Sequence, residues 1–222
     1  KNQKFSRLYL KQNFIILKFG AFWYDLIKIY ISGFIMKGVI SNARRHDAKR
    51  CIELLNLALE DISFYLSGVQ DKTQSDDILA SFFESEDSHL SYKNVFVYKV
   101  GENIVGAVCA YWGADSIKYN EPLMRNFKRL GISRQIDAEC FEDEFYIDSI
   151  AVDGNFRKQG IATKLISHIC EIAKQRGHSK VALLVDEDKQ KTEAFYGSLG
   201  FRQDTTKIVN SHKYHHMIKE IL

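Results

Sequence analysis

Proline is nearly missing from this chain: Pro122 is the single one in 222 residues. Cysteine is sparse as well. Cys51, Cys109, Cys140 and Cys170 lie far apart, with no C-x-x-C pair and no ladder of regular spacings, so a reduced, cytoplasmic setting is the simplest expectation. Cys109 and Cys170 sit in apolar runs and read as small buried hydrophobes rather than nucleophiles. A long uncharged stretch is missing too. The most apolar segment, Phe14 to Met36, is interrupted by Lys18, Asp25 and Lys28, whereas a membrane span wants about 20 nearly uncharged residues. Its broken apolar core, with no A-x-A-like site after it, also fits a signal peptide poorly. Nor is there a general basic field. The chain carries +3, but residues 1–36 hold six Lys or Arg against one acid, a net +5 that leaves −2 for the rest. Nucleic acid therefore drops out as a partner. Neither the P-loop pattern G-x-x-x-x-G-K-[ST] nor the dinucleotide pattern G-x-G-x-x-G occurs, and no Ser-His-Asp arrangement is readable from spacing.

What is present supports one packed α/β domain. Apolar residues make up 45% of the chain, enough for a core. Domain patterning begins just after Met36, so the division expected is an apolar, basic extension over 1–36 and a single domain over 37–222. The extension reads as an interfacial anchor, a partner-binding helix, or sequence upstream of a natural start at Met36. The last is favoured, and membrane contact is expected only if the extension belongs to the protein. Within the domain, "GVISNA" suits a first strand, and Ile52, Leu55, Leu59 and Ile62 have helical spacing behind Asp47 as N-cap. The Ser-, Asp- and Glu-rich stretch from Ser63 to Asn94 reads as surface with one short helix, "SDDILASFFES". A hairpin over Val95 to Trp112 turns at "GEN". A polar segment from Gly113 to Glu142 follows, with Pro122 at a helix start, long enough for a lid or binding wall. Strand "EFYIDSIAV", a helix from Gly160 to Gly177, strand "KVALLVD", helix "KQKTEAFYGSLG" and the strands "FRQDTTKIV" and "HKYHHMIKEI" complete it.

The six residues "RKQGIA", Arg157 to Ala162, join a strand to a helix. A helix leaves its first N–H groups without intrahelical partners, and its dipole favours anions there. Gly160 lets backbone approach a bound group and Ala162 is the next smallest choice, while Arg157 and Lys158 add charge. Alone, the turn fits a plain connection equally well. Its context is more specific: "IDSIAV" precedes it and "AFYGSLGF" follows some 35 residues on.

In that combination the chain resembles the GCN5-related N-acetyltransferase (GNAT) family. The family's acyl-coenzyme A motif [QR]-x-x-G-x-[GA] is matched by Arg157, Gly160 and Ala162, and its Y-x-x-x-G-F signature by Tyr196, Gly200 and Phe201. Two positions depart: many members have Asn seven residues and Ala four residues before that Tyr, where this chain has Lys189 and Thr192. The resemblance implies a central mixed, largely antiparallel twisted sheet of about six to seven strands flanked by helices, with splayed fourth and fifth strands. It implies acetyl-CoA as co-substrate and no metal. The backbone of Ile150, Ala151 and Val152 would pair with pantetheine, and Arg157, Lys158, Gln159, Gly160, Ile161, Ala162 and Thr163 would hold the pyrophosphate.

The chemistry implied is direct attack of an amine on a thioester in a ternary complex. An alkylammonium with pKa near ~10 must first lose a proton. Glu144 and Asp148 share a strand face with Tyr146, and either carboxylate suits a general base, Glu144 slightly more by family position. Tyr196 suits the acid that protonates the leaving thiolate. The acids of "EDEF" and "ESEDS" otherwise read as solvated, and "HKYHHM" reads as sheet surface or, for His216, a substrate wall rather than a metal site. A small-molecule amine is the expected acceptor. A protein or peptide amine, or a non-catalytic acyl-CoA-binding module, are the alternatives. A homodimer is common among such enzymes.

Overall fold

The computed structural model describes residues 38–221, and the readings placed on residues 1–36 lie outside them. No helix among the described residues is long and apolar enough to cross a membrane. The chain begins with β1 (Val39–Asn42) and then α1 (Ala48–Leu59), whose Cys51, Ile52, Leu55 and Leu59 are buried at helical spacing. Asp47 stands at its N-cap position, yet its carboxylate accepts the Arg44 N–H at 2.8 Å instead of a helix amide. The helix breaks at Glu60 (φ 50°), and α2 (Ile62–Ser67) and α3 (Lys72–Glu84) fold back on it. Asp71 caps α3 through the Gln74 N–H at 2.9 Å.

This region corrects the expectation of a mostly exposed 63–94 stretch. Leu79, Phe83 and Leu90 are fully buried, as are Ser67, Ser88 and Ser91. Serine misleads because its hydroxyl can be spent locally: Ser67 Oγ donates to the Phe64 carbonyl, Ser75 Oγ to Ser63 and Ser91 Oγ to Ser85. The polar composition therefore costs little when buried.

The hairpin forms as expected from β2 (Val95–Val100) and β3 (Asn103–Trp112). After it come two short helices, α4 (Ser116–Tyr119) and α5 (Glu121–Arg129), with Pro122 in the first turn of α5. The remaining elements are β4 (Phe145–Val152), α6 (Ile161–Gln175), β5 (Lys180–Asp186), α7 (Gln190–Ser198), β6 (Arg202–Val209) and β7 (His212–Glu220). All seven strands join one sheet in the order β1-β2-β3-β4-β5-β7-β6. Only β4 and β5 pair in parallel.

Two cores lie on opposite faces of this sheet. One gathers α1, α2 and α3 with Leu123 of α5 over Val97, Ala107, Tyr111 and Tyr146. The other sets Ile161, Leu165 and Ile169 of α6 and Tyr196 of α7 over Val108, Phe145, Ile147 and Leu183. Each fully buried Leu or Ile of α6 contributes roughly 1.5–3 kcal/mol. That burial fixes the start of α6 against the end of β4.

Candidate active site

The turn between β4 and α6 is anchored at its start and open at its end. Arg50 of α1 reaches Asp153 at 2.6 Å, and this hydrogen bond holds the Asp153 carboxyl below the usual range. Asp153 in turn accepts the Asn155 N–H at 3.0 Å. Lys158 (φ 62°) and Gly160 (φ 74°) both take left-handed backbone, and Gly160 is the N-cap of α6. A Cβ on Gly160 would meet nothing within 4 Å. Glycine is thus required by φ, and it leaves clear space in front of the helix. Lys164 N–H bonds the Gly160 carbonyl at 3.0 Å; the amides of Ile161, Ala162 and Thr163 are those a helix leaves without intrahelical acceptors. Residues 157–160 are exposed. An exposed, positively polarised helix start of this kind fits a pyrophosphate.

Next to the turn the sheet opens. β4 pairs with β5 only at Phe145, Tyr146 and Ile147, although β4 runs on to Val152 and β5 to Asp186. The fourth and fifth strands therefore part after Ile147. At the same point β4 bulges: Cys109 of β3 faces Ser149 and Ala110 faces Ile147, so Asp148 is passed over by the ladder. The Asp153 N–H is spent on Val105 of β3. Backbone groups alternate in direction along a strand, so those of Ile150 and Val152 point away from β3 toward the opening, and those of Ala151 point to β3. Arg157 Nε donates to the Val152 carbonyl at 3.1 Å across this edge.

On the α1 face of the opening stands a group of acids and aromatic rings. Asp148 has a carboxylate oxygen buried without a hydrogen-bond partner among the described residues. Burial pushes its carboxyl up to about 6. Glu139, from the loop between α5 and β4, accepts the Tyr146 hydroxyl at 2.7 Å. Burial and the nearby Asp148 charge push Glu139 up to about 7. Tyr111 packs edge-on against both Tyr146 and Tyr119, with ring centroids 5.7 and 5.6 Å apart. Two carboxyls that resist ionising together can hold one proton between them and take another from a bound amine. Glu139 escaped the sequence reading because it lies in an aperiodic loop, where no spacing relates it to Tyr146.

Glu144 is elsewhere. Its backbone precedes Phe145, at the end of the β4–β5 pair remote from the opening, and its side chain is fully buried against His216, Oε2 to Nε2 at 3.0 Å. Burial raises its carboxyl, but the hydrogen bonds from His216 and the Phe141 amide and the charge of Lys180 outweigh that and keep it lowered. The structure thus joins Asp148 to Glu139 rather than to Glu144. The expectation that the "EDEF" acids are solvated is corrected at Glu144, whose side chain is enclosed. His216 is likewise an interior group; His215, on the opposite face, lies 3.1 Å from Glu193.

Tyr196 belongs to the other face. Its ring packs on Phe195 and Phe201, and burial pushes its hydroxyl up to about 12, so it stays protonated at any working pH. Lys189, one of the two departures from the motif, extends to Glu60 at 3.1 Å. A surface cavity of about 490 Å³ between α1, the β2–β3 turn and Phe156 lies outside this arrangement. Its Arg50 is already committed to Asp153 and Glu53.

Similarity to known proteins agrees with this layout. Residues 55–201, more than half of the chain, match the Acetyltransferase (GNAT) family. Among curated proteins, N-alpha-acetyltransferase 30 of Schizosaccharomyces pombe is 38% identical over 56 residues, 25% of this chain. Glucosamine 6-phosphate N-acetyltransferase of Trypanosoma brucei brucei is 37% identical over 57 residues, 26% of this chain. The matched stretch spans 37% of each of those relatives. Among solved structures, one described as an acetyltransferase has 29% identity and a TM-score of 0.69, covering 83% of this chain and 100% of that one. An N-acetyltransferase from Staphylococcus aureus Mu50 has 25% identity and a TM-score of 0.71, covering 81% and 99%. With the splayed strands, the motif turn and the family match in agreement, the chain belongs to the Acetyltransferase (GNAT) family.

Proposed function

We propose that this protein transfers an acetyl group from acetyl-CoA to a primary amine of a small molecule, by direct attack within a ternary complex. The observation that carries this reading is the opening between β4 and β5, with the exposed α6 N-terminus on one side and the Glu139–Asp148 pair on the other. Acetyl-CoA, when bound, supplies the activated thioester. The amides of Ile161 to Thr163, with Lys158, Gln159 and Arg157 around Gly160, bind its pyrophosphate, and the backbone groups of Ile150 with the Val152 N–H, which face the opening, orient its arm. Asp148 and Glu139 accept the proton that the attacking ammonium must shed. Tyr196, which carries its proton before the step, donates it to the leaving sulfur.

Relatives named for N-alpha-acetylation and for glucosamine 6-phosphate acetylation do not decide between a peptide and a small acceptor. The walls favour the small one. Tyr111 is buried and Tyr119 half-buried beside the acids, which favours a narrow acceptor over an extended chain. A cytoplasmic setting is proposed from four free, buried thiols. The test is release of free CoA across a panel of small amines and N-terminal peptides, beside a thermal shift with acetyl-CoA. Turnover on small amines is expected. A thermal shift with no release on any amine would leave only a binding module, and turnover on peptides alone would reverse the substrate assignment. Tyr196→Phe is expected to lower turnover ten-fold or more with acetyl-CoA binding retained; unchanged turnover would remove Tyr196 from the reaction.

A further inference from the structure

The loop that carries Glu139 is tied to the β6–β7 hairpin through Asp137, Ala138, Phe141 and Glu144. Asp137 Oδ2 accepts the Asn210 N–H at 2.8 Å, and the Ala138 carbonyl accepts Lys207 Nζ at 3.2 Å. The Lys207 ammonium also sits over the Phe141 ring, 3.9 Å from its centroid. Phe141 N–H is bound by Glu144 Oε2 at 2.9 Å, and that same oxygen meets His216 Nε2 at 3.0 Å. The Phe141 ring stands edge-on to His216, with centroids 5.2 Å apart. From the other side, a Cβ on Gly113 would run into the Phe141 carbonyl, and Gly113 N–H bonds the Glu144 carbonyl at 2.8 Å. The segment 137–144 is thus pinned between the end of β3 and the hairpin, with Glu139 in its middle.

We infer that His216, Glu144 and Lys207 are positioning residues: they clamp segment 137–144 so that Glu139 stands at the Tyr146 hydroxyl beside Asp148. The inference rests on the proposed role of the Glu139–Asp148 pair. The logic is one of enclosure and reach. A loop without secondary structure has no internal ladder to hold Glu139, so its position depends on outside ties. A fully buried His–Glu pair gives that tie a single geometry, since neither side chain has solvent as an alternative partner. This also accounts for a buried acid just before β4 that stands away from the opening.

The test compares His216→Leu with His216→Gln, whose amide can still donate to Glu144, and reads two quantities in the full-length protein. One is hydrogen exchange of the 137–144 amides; the other is kcat for an amine beside KM for acetyl-CoA. Leu is expected to speed exchange of the segment ten-fold or more and to lower kcat ten-fold or more. KM for acetyl-CoA should stay within two-fold, and Gln should restore both exchange and kcat. Unchanged exchange in the Leu variant overturns the inference, and so does faster exchange with unchanged kcat. Lys207→Met removes the tie from the hairpin side and answers the same question if His216→Leu does not fold. A wild type that turns over no amine sinks the acid-pair role, while the exchange comparison still decides whether the clamp exists.

Discussion

Burial raises the Glu139 carboxyl into a range that suits the role proposed for it, a base at neutral pH. A carboxyl near its usual pKa is a weak acceptor for an alkylammonium proton, whereas one raised to about 7 is better matched. The rate kcat/KM should accordingly rise through a limb between about pH 6 and 7, the range to which Asp148 and Glu139 are pushed. A limb centred near pH 4 would mean that neither group is the base. Glu139→Gln should lower kcat/KM by about a hundred-fold or more. The same change should affect stability with the opposite sign. Because the folded pKa lies above the unfolded one, Glu139 contributes stability that is present below about pH 4 and is lost as pH rises through about 7. The Gln variant should therefore have a higher Tm than the wild type at pH 8 and an equal one at pH 4. Equal Tm values at both would show that the acid is solvated.

At the scale of an element, α6 and α3 make contrasting use of their first turns. The start of α6 has no side-chain cap, and its N-cap residue is a left-handed glycine facing open space. Gly160→Ala should cost about 1–2 kcal/mol of strain and cut the acetyl-CoA thermal shift by at least half, because the new Cβ stands where the anion would come. The start of α3 is closed by Asp71 on the Gln74 amide and is far from the reaction. Asp71→Ala should cost about 1 kcal/mol in urea unfolding with kcat unchanged. The pair of variants separates a helix end kept open for a ligand from one closed for stability.

At the scale of the whole molecule, the sheet is shared by two cores, so neither face can unfold alone without exposing the other. Cys51, Cys109 and Cys140 report on the α1 face and Cys170 on the α6 face, and all four are buried. A thiol reagent should leave them unmodified in the native protein. In a denaturant series all described thiols should become reactive at one midpoint, coincident with loss of far-UV circular dichroism. Early release of the Cys170 thiol alone would mean that the α6 layer opens independently.

The helices α1 and α6, the hairpin and the late strands were legible because apolar spacing is local: Ile161, Leu165 and Ile169 mark a buried face wherever the helix goes. The left-handed turn at the start of α6, proposed to hold the donor, was legible for the same reason, since an anion held by backbone needs small residues at short spacing. The helix over "SDDILASFFES" was legible, but the burial of the serine-rich region was not, because hydroxyls satisfied by nearby carbonyls leave no trace in composition. Nor was the acceptor side. Glu139 and Asp148 come from different segments, and whether an acid pairs with Tyr146 or with His216 depends on side-chain reach across strands. The sequence by itself determined the fold class and pointed to the turn proposed for the coenzyme, where recognition would be by backbone at fixed local spacing. Only the tertiary structure decided which carboxylates stand at the opening, because burial and mutual charge, which set their proton affinity, are properties of distance in space.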